Sequence, residues 1–106
     1  MSFIHPDTMK TAERLPGWHS RFWRSENMSF AQYAIDAGSS IHEHHHPHEE
    51  VWLVIEGELE VAVAGEIRTV GPGCVAVVPP DAPHSVRALT RSSAAVANHP
   101  IRHEFL

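Results

Sequence analysis

The feature that most constrains this chain is the shortness of its apolar runs. From Met28 onward, β-branched and apolar segments are cut roughly every ten residues by glycine or proline, a spacing that suits short strands and leaves no room for ordinary helices. Met28–Ile35, Val51–Ile55, Leu59–Ala64, Ile67–Val70, Cys74–Val78, His84–Leu89, Ala94–Asn98 and Ile101–Leu106 read as strands. Ala37-Gly38-Ser39-Ser40, Gly65-Glu66, Gly71-Pro72-Gly73 and Pro79–Pro83 read as turns. Val51–Ile55 and Leu59–Ala64 are expected to form a hairpin with Gly57 at its turn. Lys10–Leu15 is the one place where a helical turn is expected. The pattern predicts an all-β sandwich or barrel over residues 28–106, preceded by an arm over residues 1–27 whose aromatic stretch, Trp18 to Trp23, packs as an arm or edge strand.

Histidine is the compositional outlier, with 10 of 106 residues. Five lie between His42 and His48, inside the chain and running into strand-like sequence. Alternation along a strand turns His42, His44 and His46 one way, and Glu43 and His45 the other. Pro47 ends or bends that strand. In the next one, Glu50 shares a face with Trp52 and Val54. Two imidazoles at i and i+2 can bind one ion. Glu50 and His84 would bring the set to three nitrogens and one carboxylate, a donor set suited to Zn, Fe, Mn, Ni or Cu. His84 alone would read as a surface histidine after a proline-rich turn.

The other totals narrow the class. A formal charge of −5 with no basic stripe argues against nucleic acid. A single cysteine, Cys74, excludes an internal disulfide and fits a reducing compartment. Cys74 reads as a small buried hydrophobe. Met1–Lys10 has no apolar run, so no signal peptide is expected, and no stretch is long enough to span a membrane. A cytoplasmic protein is expected, and a homodimer, because a small barrel with an aromatic arm has surface to bury.

The spacing Gly38, five residues, His44, one, His46, three, Glu50, six, Gly57 resembles the first motif of the cupin superfamily with every fixed position filled. Gly73, Pro79, Asp81, His84 and Ala88 are similar to the second motif, with Asp81 in place of a glycine and Ala88 in place of an asparagine. Asp tolerates the left-handed backbone that such a turn needs. The resemblance implies a double-stranded β-helix (a jelly-roll, or cupin barrel), and implies that His44, His46, Glu50 and His84 hold one divalent transition metal. Within the superfamily, His44–Glu50 resembles small cupins of pectin degradation, which act on unsaturated uronates and typically carry glutamine at the position of Glu50. Pro100, Arg102, Phe105 and Leu106 match the C-terminal pattern of that subgroup. Val96 stands where it has a proton-transferring aspartate, and Asn98 where it has a phenylalanine.

These readings point to a metal-dependent enzyme acting as a Lewis acid on a small polar ligand such as a sugar acid, with His48 or Arg102 assisting. The alternatives are a non-catalytic module that binds a small molecule or metal, and an iron-dependent dioxygenase. Trp52, Val54, Phe30 and Tyr33 are pocket candidates, with plain core the stronger reading. Trp18, Phe22 and Trp23 read as packing or dimer contacts.

Overall fold

The computed structural model describes residues 2–106. Ten strands follow a short 3₁₀ turn at Pro6–Thr8: β1 (Ala12–Leu15), β2 (Trp18–Arg24), β3 (Ser29–Ile35), β4 (Ser40–His44), β5 (Glu49–Glu56), β6 (Leu59–Val63), β7 (Glu66–Val70), β8 (Val75–Val78), β9 (His84–Ala88) and β10 (Ser92–His99). They form a six-stranded sheet in the order β1-β2-β3-β10-β5-β8 and a four-stranded sheet in the order β4-β9-β6-β7. Every neighbouring pair is antiparallel. This is the jelly-roll of the cupin barrel. No helix among the described residues is long and apolar enough to cross a membrane.

Alternation builds the core. On β3, Ser29, Ala31, Tyr33 and Ile35 are buried while Phe30, Gln32 and Ala34 are not. On β10 the buried set is Ser92, Ala94, Val96 and Asn98, and on β5 it is Glu50, Trp52 and Val54. Leu59, Val61, Val86 and Ala88 supply the facing side from β6 and β9. Trp18 and Trp52 meet edge to face, with ring centroids 6.1 Å apart, and Tyr33 lies against both.

Four expectations are corrected. The first is the hairpin at Gly57. β5 pairs with β10 and β8, whereas β6 pairs with β7 and β9, so the chain crosses between sheets at Gly57. The crossing is tight: Gly57 has φ +78°, and a Cβ there would lie 2.3 Å from the carbonyl oxygen of Arg91. The true hairpin is the next one, where Ala64 (φ 49°) and Gly65 (φ 85°) join β6 to β7 in the two-residue, positive-φ loop that matches strand twist.

Second, Lys10–Leu15 forms no helical turn. Ala12–Leu15 is β1, drawn into pairing with β2 (Ala12 opposite Ser20, Glu13 opposite His19). Tertiary pairing overrides a weak local preference. The arm therefore contributes both β1 and β2 to the six-stranded sheet.

Third, Ile101–Leu106 is not a strand. Pro100 has no N–H for a ladder, and the Arg102 N–H donates instead to Ser29 Oγ at 2.9 Å. The tail turns back over the barrel and ends in a 3₁₀ turn at His103–Phe105. Fourth, Cys74 is exposed, at the turn entering β8, rather than buried.

Candidate metal centre

β4 and β9 run side by side with His44 opposite His84, and a bulge between Ile41 and His44 re-aims the end of β4. The chain leaves β4 through His45 to His48 and re-enters the sheet at β5. His46, just past the strand, is thereby brought beside the pair. One ring nitrogen from each of His44, His46 and His84 lies within 4.8 Å of the other two. His46 and His84 are buried; His44 is half-buried, facing a cavity.

The backbone sets the tautomers. Nδ1 of His44 faces the carbonyl oxygen of His42 at 2.9 Å, Nδ1 of His46 faces that of His48 at 3.1 Å, and Nδ1 of His84 faces that of Ala82 at 2.8 Å. A carbonyl oxygen can only accept, so each Nδ1 carries the proton and each Nε2 presents a lone pair. Nε2 of His46 and of His84 has no hydrogen-bond partner among the described residues. Both face Glu50: His46 Nε2 is 3.3 Å from Oε2, and His84 Nε2 is 3.5 Å from Oε1. Lone pairs aimed at a carboxylate repel unless a cation or a proton lies between them. Three converging imidazoles fixed by outer hydrogen bonds are the donor set of a transition-metal centre, and the residues present fit one.

Glu50 is 2% exposed. Its Oε1 accepts from Trp52 Nε1–H at 2.6 Å, and its Oε2 accepts from the Arg102 guanidinium at 3.2 Å. A carboxylate has lone pairs beyond these two bonds, so it can still face a metal. Burial works against its charge, but hydrogen bonds from the His46 and His84 rings when these are protonated, together with that from Trp52, outweigh it and hold its carboxyl well below the usual range. Burial pushes the Tyr33 hydroxyl far above its usual value, with Glu50 adding to the effect, so it keeps its proton.

Next to His44 opens a cavity of about 320 Å³. Trp18, Phe22, Tyr33, Trp52 and Phe105 wall it with rings; His42, Glu50, Arg102 and Arg14 supply the polar groups. Of the two residues expected to assist, Arg102 lines this cavity and His48 does not; the His48 ring packs beside His46 at 5.4 Å. His45, just past the end of β4, is exposed. Val96 is core. Asp81 takes φ 63°, the left-handed angle expected of it. Of the pocket candidates, Tyr33 and Trp52 line the cavity, whereas Phe30 is stacked on Trp23 at 5.9 Å. Trp18 and Phe22, read from sequence as packing or dimer contacts, are cavity wall as well. Phe105 could have been found from its place beside Arg102 in the C-terminal pattern. Arg14 carries no sequence signal at all.

A proton and a metal compete for the same Nε2 lone pairs, which sets the pH dependence. In metal-free protein, burial works against a charged His84, but once protonated at Nε2 the ring can donate to Glu50 as well as to the Ala82 carbonyl, which outweighs burial and raises its pKa above the usual histidine value. A raised folded value means stabilisation that is full below the unfolded pKa and is lost as pH rises through the folded one. Bound metal has the opposite sign, because it needs the neutral ring. The stabilisation that His84 gives metal-free protein is therefore expected to fade as pH rises above its usual pKa, against the opposite trend from His44, whose pKa burial lowers, while the increment added by saturating zinc grows as pH rises. An increment independent of pH in a melting series would mean that imidazoles are not the ligands.

Comparison with known proteins agrees with this architecture. The sequence profile described as Cupin domain matches residues 31–98. An uncharacterized protein of Streptomyces coelicolor is 35% identical over 68 residues, a stretch covering 64% of this chain and 65% of that protein. The solved structure of KdgF from a Halomonas species superposes with a TM-score of 0.93 at 26% identity, covering 99% of this chain and 100% of the other. An RmlC-like cupin from Shewanella frigidimarina gives a TM-score of 0.94 at 23% identity, covering 100% and 96%, a likeness of fold. With a matching profile, filled first-motif positions and the jelly-roll itself, the chain belongs to the cupin domain family.

Proposed function

We propose that this protein is a metal-dependent enzyme acting on a small carboxylate-bearing substrate such as a sugar acid. The observation that carries the reading is the opening of the His44 side of the three-histidine cluster onto a cavity with both cationic and aromatic walls. Similarity to the Halomonas KdgF and to the pectin-degradation subgroup supports the sugar-acid class.

Each residue has a chemical part. His44, His46 and His84 hold the metal, with Glu50 as fourth ligand or adjacent counter-charge. The metal, when bound, supplies a Lewis acid that polarises a substrate oxygen. Trp18, Phe22 and Phe105 exclude water from the cavity and offer ring faces to a sugar. Tyr33, which keeps its proton and lines the cavity, is placed to donate a hydrogen bond to a substrate oxygen. Arg102 neutralises Glu50 and holds it in place. His48 orients His46 through its backbone carbonyl. With Val96 in the core, no acid stands where the uronate subgroup has its aspartate, so proton transfer falls to other cavity groups, and exposed His42 is the titratable one.

The test is turnover of an unsaturated uronate monosaccharide, followed by loss of its ultraviolet absorbance. Metal-loaded protein is expected to turn it over, chelation to abolish the activity, and re-addition of metal to restore it. Uronate binding without turnover would favour the non-catalytic module instead.

A further inference from the structure

Arg102 is the residue whose sequence context points to a substrate carboxylate, but its charge is already committed. Its Nη1 donates to Glu50 Oε2 at 3.2 Å and its Nε donates to Glu104 Oε1 at 2.6 Å. Glu104 answers by titrating below its usual range, chiefly because of that bond. Arg102 thus sits between two carboxylates, with its Cζ 4.2 Å from the centroid of the Phe105 ring.

Arg14 lines the same cavity and is in a different electrostatic state. No carboxylate among the described residues lies within 4.0 Å of it, whereas Arg68 and Arg87 each have one and Arg102 has two. Two of its N–H groups donate to the tail carbonyls, from Nη1 to Glu104 at 2.5 Å and from Nη2 to Phe105 at 3.1 Å. Its guanidinium lies 4.5 Å over the Phe22 ring, and Phe22 stacks on Phe105 at 4.7 Å. The result is a column in the order Arg14, Phe22, Phe105, Arg102, which fixes one unneutralised cation at the cavity rim. The remaining donors of its fork are free. An uncompensated guanidinium, held rigid at the rim of a largely aromatic cavity in a chain of net charge −5, is an anion site.

We infer that Arg14, and not Arg102, binds the carboxylate of the ligand and so sets the preference of the cavity for acids over neutral sugars. This rests on the proposed reading that the cavity takes a sugar acid. β1 and the C-terminal tail then act together: β1 carries the cation, and the tail carbonyls aim it. Arg102 is a positioning residue that acts through Glu50.

The test compares D-galacturonate with D-galactose, which differ at one carboxylate, on zinc-loaded protein. Binding is read by fluorescence of Trp18 and Trp52, which wall the cavity. Wild type is expected to bind the acid at least about tenfold tighter than the neutral sugar, with an affinity that weakens as salt is added. Arg14→Met is expected to lose both the preference and the salt dependence while keeping wild-type zinc affinity and a folded circular dichroism spectrum. Arg14→Lys, which restores charge without the fork, is expected to recover part of the preference. The inference is overturned if Arg14→Met keeps the preference and Arg102→Met loses it, an outcome that leaves the sugar-acid reading standing. If wild type shows no preference for the acid, the sugar-acid reading fails and the role of Arg14 fails with it.

Discussion

Replacing His84 with alanine is expected to strip the purified, untagged protein of its metal, lowering affinity by at least about 100-fold. His84 is 1% exposed, and its ring is aimed by the Ala82 carbonyl, so nothing nearby can replace its Nε2. Loss of an outer partner of a metal ligand already costs 10- to 100-fold, and loss of the ligand itself costs at least the upper end of that range. The same result is expected for His46→Ala. His45→Ala is the matched control: it removes an imidazole from the same run, but one that faces solvent, and should leave metal content unchanged. Elemental analysis of the four proteins, with circular dichroism to show that each is folded, decides the matter. Full occupancy in a folded His84→Ala protein would refute the three-histidine site. A second consequence follows by mass action: at a metal concentration of about 100 Kd, wild type gains about 2.7 kcal/mol of stability that the variant does not.

Part of this site was legible because strand parity is a strict rule: Glu50 beside Trp52 and Val54 follows from counting by two, whereas His46 lies past the end of β4 and joins His44 because the chain turns there before β5. The faces of β3, β5 and β10 obey that count. Connectivity was less legible. Gly57 looks like a hairpin glycine because a glycine between two apolar runs is the usual hairpin signal. Whether the two strands pair or part depends on what lies across from them, and here Arg91 and Ser92 press against Gly57 from β10 and the loop before it. The segments at the two ends were misread for a related reason. Ala12–Leu15 and Ile101–Leu106 are too short to declare a conformation alone, and their structure is set by what they meet: the neighbouring strand β2 for one, and Ser29, 73 residues away, for the other. The cavity wall inherits that limit. Arg14 and Phe105 lie 91 residues apart and meet only because both termini fold over the same mouth of the barrel.

Glu50→Leu is expected to be the most destabilising single change at the site, by about 3–5 kcal/mol, the range found when one partner of a buried charge pair is removed. The leucine has similar bulk, so the loss is electrostatic rather than a cavity effect. It leaves Arg102, whose side chain is 15% exposed, with Glu104 as its remaining carboxylate partner, and leaves the Trp52 N–H, inside the core, without an acceptor. It also removes the carboxylate that His46 and His84 face. Glu50→Gln keeps an acceptor for one of these donors and should cost much less in stability, while weakening metal binding because the site loses one negative charge. The pair of variants separates the two roles of the residue. Adding Arg102→Met to Glu50→Leu removes the cation that has lost its buried partner, so the double variant should be more stable than the sum of the single costs allows. Urea unfolding of the metal-free proteins measures this without the contribution of the ion. If Glu50→Leu unfolds at the wild-type urea midpoint, the buried carboxylate is not what holds Arg102 and the tail against the barrel, and the stack of Phe105 on Phe22 must hold the tail alone.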